Sequence, residues 1–357
     1  MRLLSNLTKK TLSLLVICTL ISYVASEEVE FGSKCRVLSM EGGGDKGSYE
    51  VGALKAFLEF LPKKEIQYDV VTGVSVGAIN AISLALHKKG DEEKCINWMN
   101  ELWLNMQSSD IYSNWPYGYI EGLLYQEGLL NNANGVEFLT KLLKENFPDK
   151  KVHRQIEWNA VDINTAEIKR FNENEEWDSI PEKIIASASM PFAFPHMHIG
   201  ENTYVDGGSV WNVDYASGIN RCISDGFKEK NIIVDIILCS GVQDAGEAGY
   251  NTIQNYIRMR DIQAYYTSMS DLDEVRRGYE NVQFRYLVVP NKPLPSGYIP
   301  LGFKKESITE MIRLGYEDAK KVILGEEDSF SKVESFKNDI DATYDPEAVK
   351  KFNQSRI

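Results

Sequence analysis

Short apolar runs alternate with helix-like periodic segments along most of this chain. Residues 37–40 form an apolar run, and apolar side chains then recur at helical spacing over residues 51–61. The same pairing repeats where residues 70–71 precede a second periodic segment over residues 78–86. Residues 232–238 are almost continuously apolar, as expected of a buried parallel strand. Strands that alternate with helices predict a layered α/β domain with a mostly parallel central sheet.

The rest of the pattern extends this domain. Helical spacing predicts further helices over residues 95–106, 135–147, 184–190, 252–277 and 308–324. Strand-like segments occupy residues 156–163, 168–171 and 284–289. We find no internal repeat and no Pro- or Ser-rich linker, so residues 27–325 are interpreted as one domain. A charged, weakly periodic tail follows over residues 326–357.

One segment, residues 111–135, has no regular period and is rich in aromatic residues, leucine and glycine. Two interpretations remain open. The segment is either a packed, irregular connection between two helices or a lid that faces lipid. Lids over active sites are often loops of this length. In the second case, the residues that would contact acyl chains are Trp115, Tyr117, Tyr119, Leu123 and Leu124.

Two glycine motifs lie where a predicted strand passes into a predicted helix. The first reads EGGGDKG over residues 41–47, and its glycines allow several backbone N–H groups to converge on a ligand. The second reads GVSVG over residues 73–77 and has the context of a nucleophile elbow. Ser75 is therefore the predicted nucleophile. The predicted oxyanion donors are the N–H groups of Gly42, Gly43 and Gly44.

Other interpretations of the first motif explain less. A flexible turn, or a phosphate cradle without catalysis, would account for the three glycines but would leave Ser75 without a role. Lys46 follows the glycines without the G-K-[ST] order of a P-loop. The G-x-G-x-x-G spacing of dinucleotide sites is also met only loosely.

An acid at the end of a predicted strand is the third candidate for the site. Asp206 follows residues 203–205 and precedes two glycines. Asp-Gly pairs are common in plain turns and helix caps, so the spacing alone leaves a structural role open. His196 and His198 alternate along a short strand. A single pair at this spacing is more often ordinary strand surface than a metal site, and no metal is expected.

The three motifs together resemble the patatin-like phospholipases. That family usually carries D-G-G-G-x-R-G, then G-x-S-x-G, then D-G-[GA], and this chain has EGGGDKG, GVSVG and VDGG in the same order. Residues 160–171 and 186–212 are also similar to family blocks, and the resemblance extends from about residue 36 to about residue 239. Three positions depart from the family pattern. They are Glu41 for Asp, Lys46 for Arg, and Asp214 where proline is frequent.

The resemblance implies a three-layer α/β/α patatin-like fold and a serine lipid acyl hydrolase of the phospholipase A type. Ser75 would form an acyl-enzyme, and Asp206 would act directly as its general base, in a dyad without histidine. Lys46 would support the site with its charge, although it lacks the planar fork of arginine. The implied partner is a phospholipid or related lipid at a membrane or micelle surface, and no cofactor is implied.

Two alternatives belong to other classes. One is an α/β-hydrolase esterase in which a histidine such as His196, oriented by an acid such as Asp162, activates Ser75. That fold has the chain order Ser, acid, His, and all four histidines precede Asp206, so Asp206 cannot be its acid. The other is a catalytically silent lipid-binding or storage protein. The intact serine, aspartate and glycines argue against it.

The first 26 residues have the pattern of a secretory signal. Arg2, Lys9 and Lys10 precede an uncharged stretch with an apolar centre, and residues 24–26 suit cleavage. The apolar run is shorter than the roughly 20 residues of a spanning helix. We therefore expect residues 1–26 to be a signal peptide. The mature protein would be secreted or held in the lumen of a vesicle or vacuole.

Charge and cysteine content narrow the partners further. The formal net charge of -13 disfavours binding to nucleic acid, while the oligomeric state stays open. Cysteines 35, 95, 222 and 239 follow the predicted signal. Their even number permits disulfides in an oxidising compartment, but no spacing indicates a pair. Buried thiols and at least one disulfide therefore both remain open.

Overall fold

The computed structural model describes residues 33–240, 251–297 and 299–335. The predicted signal and residues 336–357 of the predicted tail lie outside this part, so the domain limits stay a prediction. Within the described part, eight strands join one sheet. They are β1 (Cys35–Met40), β2 (Val70–Gly73), β3 (Gln155–Asp162), β4 (Glu167–Asn172), β5 (Met197–Ile199), β6 (Asn202–Asp206), β7 (Ile232–Ile237) and β8 (Gln283–Val288).

The sheet has the order β5-β6-β3-β2-β1-β7-β8, and β4 also pairs with β3. The five strands β3, β2, β1, β7 and β8 run parallel to one another. In contrast, β4 and β6 pair antiparallel with β3, and β5 pairs antiparallel with β6. Every residue of β7 is buried, which explains its continuous apolar run. The prediction of a mostly parallel central sheet is confirmed.

Helices connect the strands. They are α1 (Gly47–Phe60), α2 (Val76–Ala85), α3 (Glu92–Asn105), α4 (Ser108–Ile111), α5 (Gly118–Tyr125), α6 (Ala133–Asn146), α7 (Ile180–Ala188), α8 (Ala216–Ser224), α9 (Thr252–Gly278) and α10 (Lys305–Ile323). No helix in the described ranges is both long enough and apolar enough to cross a membrane. The helices that the periodicity predicted all occur, with ends that differ by a few residues.

Two hydrophobic clusters cover the two faces of the sheet. The larger cluster includes the buried sides of α1, α2, α3 and α10, and α10 packs directly on α1. The smaller cluster, on the other face, includes Ile219 of α8 together with Met269 and Leu272 of α9. Both faces are therefore covered by helices, which confirms the three-layer α/β/α arrangement.

The pairing of β3 brings two distant parts of the chain together. Its first half pairs with β2, so that Gly73 lies opposite Trp158. Its second half pairs with β6, so that Asp206 lies opposite Ala160. Trp158 and Ala160 are two residues apart on one strand, and Ser75 is two residues beyond Gly73. The sheet therefore places Asp206 beside the turn that carries Ser75.

A disulfide ties one helix layer to the sheet. Cys35 at the start of β1 is bonded to Cys222 of α8, with the two Cα atoms 6.0 Å apart. This separation is ordinary for a disulfide. Cys95 and Cys239 are buried free thiols. Of the two outcomes that the sequence left open, the structure thus contains one disulfide and two buried thiols among the four cysteines.

The segment over residues 111–135 has features of both interpretations. Its base is anchored because Ser113 and Asn131 exchange two backbone hydrogen bonds of 2.9 Å. Trp115 is half-buried and donates its indole N–H to the Gly128 carbonyl at 3.0 Å. Between these anchors lies α5, which the sequence pattern did not predict. Most of the side chains of α5 are exposed.

Candidate active site

Ser75 lies on the sharp turn between β2 and α2. Its backbone has φ 53° and ψ -122°, a conformation that costs a non-glycine residue about 1–3 kcal/mol. Glycines flank it because the turn leaves no room for side chains. A Cβ atom at Gly73 would lie 2.1 Å from the Gly77 carbonyl oxygen, and one at Gly77 would lie 2.5 Å from that of Met40. The strained turn matches the elbow predicted from the sequence.

The end of α7 holds both Ser75 and Asp206. The backbone N–H of Ser75 donates to the Ser187 hydroxyl at 3.0 Å. The backbone N–H of Asp206 donates to the Ser189 carbonyl at 3.0 Å. Asn132 donates to the Ser189 hydroxyl at 3.0 Å and so fixes the far side of this residue. The two serines lie in the block that resembles the family, but nothing in their spacing indicated these contacts.

Asp206 is buried, and the Ser75 side chain lies close enough to its carboxyl to affect the pKa of that carboxyl. Burial raises the pKa of its carboxyl to about 6, while hydrogen bonds from the Ser75 side chain and the Gly208 N–H act in the opposite direction. The Gly208 bond to Asp206 Oδ1 measures 2.7 Å. The charge of Arg260 also lowers this pKa. A buried carboxyl beside a serine, with a pKa near neutrality, is a candidate general base.

The glycine loop passes next to Ser75. A Cβ atom at Gly42 would lie 3.0 Å from the Cβ of Ser75. The N–H of Gly42 itself donates to the Asn212 carbonyl at 3.0 Å. In contrast, no described residue accepts a hydrogen bond from the N–H of Gly43 or of Gly44. Of the three predicted oxyanion donors, the N–H of Gly42 is thus already hydrogen-bonded within the protein. The N–H groups of Gly43 and Gly44 have no acceptor among the described residues.

The shape of this loop depends on Gly44. Its φ is +61°, and a Cβ atom there would lie 2.0 Å from the Pro300 carbonyl oxygen. That carbonyl accepts the N–H of Asp45 at 2.8 Å, so the loop is held against the segment before α10. The positive φ and the close contact both require glycine. Lys46, predicted to support the site, follows in the same turn and lines the cavity described below.

Glu41 is a residue whose role the sequence did not reveal. Its carboxyl is completely buried and accepts hydrogen bonds from the backbone N–H groups of Cys239 and Ser240 at 2.6 and 2.7 Å. The side chains of Asn212 and Ser268 also donate to it, at 3.0 and 3.1 Å. Burial raises the pKa of Glu41, and the hydrogen bonds from Ser240, Cys239 and Asn212 lower it. The carboxyl therefore fixes the start of the glycine loop to three other segments.

Ser75 and Asp206 open into a cavity of about 660 Å³. Much of its wall is apolar, and the apolar residues include Met106, Ile111, Met190, Phe192, Phe194, Leu301 and Phe303. Charged residues also line it, namely Lys46, Arg258, Arg260 and Asp261. Cavities of this size and polarity are typical of sites for organic ligands. Within the described ranges, no group of three or more potential ligand side chains is arranged for a metal ion.

The four histidines lie elsewhere. His87 is buried against Trp98 and Phe147, and its burial lowers the pKa of its ring. His153 contacts Asp149, while His196 and His198 both contact Glu127. None of the described residues that line the cavity is a histidine.

Asp162, the acid of the alternative triad, is also engaged away from the cavity. It accepts hydrogen bonds from the Asn164 N–H at 2.9 Å and from the Asn202 side chain at 3.0 Å. The structure therefore places neither His196 nor Asp162 next to Ser75, whereas it places Asp206 there.

Comparison with known proteins supports the assignment of a family. A family model described as patatin-like phospholipase matches residues 38–217. An uncharacterized protein, L620, from Acanthamoeba polyphaga mimivirus is 26% identical over 239 residues, in a match that covers 51% of this chain and 63% of that protein. This chain thus matches less than two thirds of the length of that relative. The crystal structure of VipD from Legionella pneumophila aligns with 15% identity and a TM-score of 0.41, over 82% of this chain and 67% of VipD.

The raised pKa of Asp206 leads to a pH prediction. Only the ionised carboxyl accepts a proton from Ser75. We therefore expect kcat/KM to be highest above pH 6 and to be lost as the pH falls through about 6. The measurement is the pH profile of kcat/KM with a soluble chromogenic ester. Because histidine ordinarily titrates near about 6.5, the profile is repeated in four single His→Gln variants. All four should keep both the limb and most of the activity. Loss of activity in His196→Gln or His198→Gln would contradict the dyad.

Proposed function

Because this chain belongs to the patatin-like phospholipase family, we propose that it is a serine lipid acyl hydrolase of the phospholipase A type. The observation that carries the proposal is the placement of Asp206 beside Ser75, which lies on a strained elbow next to the glycine loop. The position of Asp206 favours a dyad over a histidine triad. The strain retained at Ser75 favours an enzyme over a silent binding protein, because strain of this kind clusters at functional sites.

In the proposed mechanism, the Ser75 hydroxyl oxygen attacks the carbonyl carbon of a fatty acyl ester while Asp206 accepts its proton. The N–H groups of Gly43 and Gly44 donate to the oxyanion that forms. The intermediate collapses, and the ester C–O bond breaks. The departing alcohol takes the proton from Asp206 and leaves an acyl-enzyme on Ser75. Water then attacks the acyl group and gives its proton to Asp206, which returns it to Ser75 as the fatty acid leaves.

The cavity wall fits an acyl chain. Phe192, Phe194 and Phe303 line it together with aliphatic side chains, so an alkyl chain entering the cavity would exchange water for apolar contacts. Transfer of each buried methylene group is favourable by about 0.8 kcal/mol. Substrates with long acyl chains would therefore gain binding energy remote from the ester, which an enzyme can use to orient the reacting group.

The charges of the cavity support a phosphate-bearing substrate. Lys46, Arg258 and Arg260 line the cavity in a chain whose formal net charge is -13. Their charges lower the pKa of Asp261, whose burial raises it, so all three act on the same region. Cations gathered in a cleft attract anionic groups and bind phosphate oxygens through charge-assisted hydrogen bonds. We therefore propose phospholipids, rather than neutral glycerides, as the substrates.

We also propose that the protein enters the secretory pathway. The pattern of residues 1–26 motivates this, and the Cys35–Cys222 disulfide supports it because disulfides persist in oxidising compartments.

A fluorophosphonate probe tests the nucleophile and the base. The wild type should be labelled, and Ser75→Ala should not be. Asp206→Asn should reduce hydrolysis by about 10²- to 10⁴-fold without unfolding the protein, since a general base is removed while the shape is kept. Asp162→Asn is the matched control, because this buried acid would serve the histidine triad and has no role in the dyad. Labelling of Ser75→Ala, or a larger loss in Asp162→Asn than in Asp206→Asn, would refute the assignment.

The cations of the cavity provide a test of substrate class. Arg260→Gln should lower kcat/KM for phosphatidylcholine by about tenfold or more, because a charge-assisted contact contributes about 1.5–3 kcal/mol. Both substrates are measured well above pH 6, because Arg260 also lowers the pKa of Asp206 and its loss would otherwise affect every substrate. Hydrolysis of a diacylglycerol with the same acyl chains should then change much less. Arg277→Gln is the control, since Arg277 lies on the same helix but pairs with Asp273 outside the cavity lining. Equal losses on both lipids would contradict recognition of phosphate.

Protein recovered from a eukaryotic expression host tests the secretory proposal. N-terminal sequencing should begin close to Glu27, and non-reducing peptide mapping should recover Cys35 linked to Cys222. The linkage closes a loop between residues 187 positions apart, so reduction should lower the free energy of unfolding by about 2–5 kcal/mol in urea titrations. A mature chain that begins at Met1 with free Cys35 would rule the proposal out.

A further inference from the structure

One surface of the molecule exposes large apolar side chains on a single short helix. Six residues form this surface, which we call the α5 surface, namely Tyr117, Tyr119, Ile120, Leu123, Leu124 and Tyr125. Their exposed fractions range from 62% for Tyr119 to 84% for Tyr117. Of the helix residues themselves, Gly118–Tyr125, only Gly122 is buried. Single exposed apolar residues are ordinary, but a contiguous cluster of this kind marks an interaction site.

The α5 surface is presented by well-anchored backbone. The N–H of Tyr117 donates to Glu121 at 2.9 Å and closes the first turn of the helix. Gly122 faces the backbone of Gly128 and Leu129, where a Cβ atom would lie 2.6 Å from the Leu129 carbonyl oxygen. The helix is thus seated on the 128–130 segment with its apolar side chains directed away from it. Burial of these side chains on a partner would require no rearrangement of α5.

That segment connects α5 to the wall of the cavity. The N–H of Leu129 donates to the Phe192 carbonyl at 3.0 Å, and the N–H of Leu130 donates to the Ala193 carbonyl at 2.9 Å. Phe192 and its neighbour Phe194 line the cavity that contains Ser75. Only the backbone segment 128–130 therefore lies between α5 and this part of the cavity wall. A partner bound at α5 would lie close to this part of the cavity wall.

The part of the cavity wall that α9 forms has a similar character. Tyr256, Ile262 and Tyr266 of α9 line the cavity and are still 50%, 43% and 52% exposed. Side chains that are both part of the wall and in contact with solvent mark the mouth of the cavity. The mouth thus has apolar and aromatic residues on α9. The α5 surface carries residues of the same kind, behind the part of the wall that contains Phe192 and Phe194.

Charge indicates what kind of surface binds there. The chain contains no lysine or arginine between Lys94 and Lys141, a stretch that includes all of α5. The nearby charges are acidic, at Glu121 and Glu127. At α5, an anionic surface would be repelled and would find no cation of this stretch to contact. Tyrosine, by contrast, is enriched where an apolar region meets water, because its ring is apolar and its hydroxyl is polar.

We propose that the α5 surface docks the protein on a zwitterionic phospholipid bilayer, with the cavity mouth turned toward the lipid. This inference rests on the proposed function, because it assumes that the cavity receives lipid. The tyrosine rings and leucines of α5 insert among head groups and upper acyl chains. The substrate then passes from the bilayer into the cavity without crossing bulk water. Binding strength should follow the apolar area inserted rather than the lipid charge.

The test separates docking from catalysis. Binding to phosphatidylcholine vesicles is measured by co-sedimentation in a Ser75→Ala background, so that no lipid is consumed. Leu123→Ser/Leu124→Ser should weaken binding by about tenfold or more. Ile223→Ser/Leu324→Ser is the matched control, since these two residues are 39% and 50% exposed on other helices or their ends. The control should bind like its parent. Addition of phosphatidylserine to the vesicles should not increase binding.

Activity provides a second readout. With Ser75 intact, Leu123→Ser/Leu124→Ser should keep kcat/KM for a soluble short-chain ester, which also shows that it folds, and should lose turnover on vesicles. Unchanged vesicle binding in this variant would overturn the proposal. So would an α5-dependent dimer in sedimentation experiments, because a second copy would then occupy the surface. If Ser75→Ala binds through α5 but the wild type hydrolyses no ester, the proposed function fails and the docking surface stands.

Discussion

The geometry around Ser75 depends on the hydrogen bonds that the buried carboxyl of Glu41 accepts. This carboxyl lies between β1 and the glycine loop, and its donors come from the end of β7, from α9 and from Asn212 in the turn after Asp206. Each of these segments contributes to the site. Removal of the carboxyl would leave several buried donors without acceptors, at about 1–3 kcal/mol each. The burial of this carboxyl is tolerated because it is so completely hydrogen-bonded.

Asn212 extends this network to the loop itself. Its side chain bridges Glu41 and the Gly42 carbonyl, while its backbone carbonyl accepts the Gly42 N–H. The first glycine is thus held on both sides, and this leaves the next two N–H groups of the loop open. The three consecutive glycines thus differ in whether their N–H groups are bonded, and this difference follows from contacts with a residue 170 positions away.

Much of the fold was accessible from the sequence because it depends on local periodicity. The apolar runs and the helical spacing located the core strands and most helices, and GVSVG located the elbow. What could not be predicted depends on long-range contacts. Glu41 appeared only as a departure from a family motif, and the pairing of Cys35 with Cys222 has no signature in spacing. α5 escaped notice because it has no buried stripe, and its side chains therefore show no helical period of burial.

The split pairing of β3 has a further consequence for how the site tolerates change. Ser75 and Asp206 belong to segments that share no direct backbone ladder, and both are positioned by a third strand, one by each half of it. The distance between Ser75 and Asp206 is therefore set by the number of β3 residues between the two pairing points. One residue inserted between Trp158 and Ala160 would displace one partner from the other by roughly 3.3 Å, the rise of a single strand residue. Side chains along β3 are free to vary within the limits of packing, but its length between these two points is not.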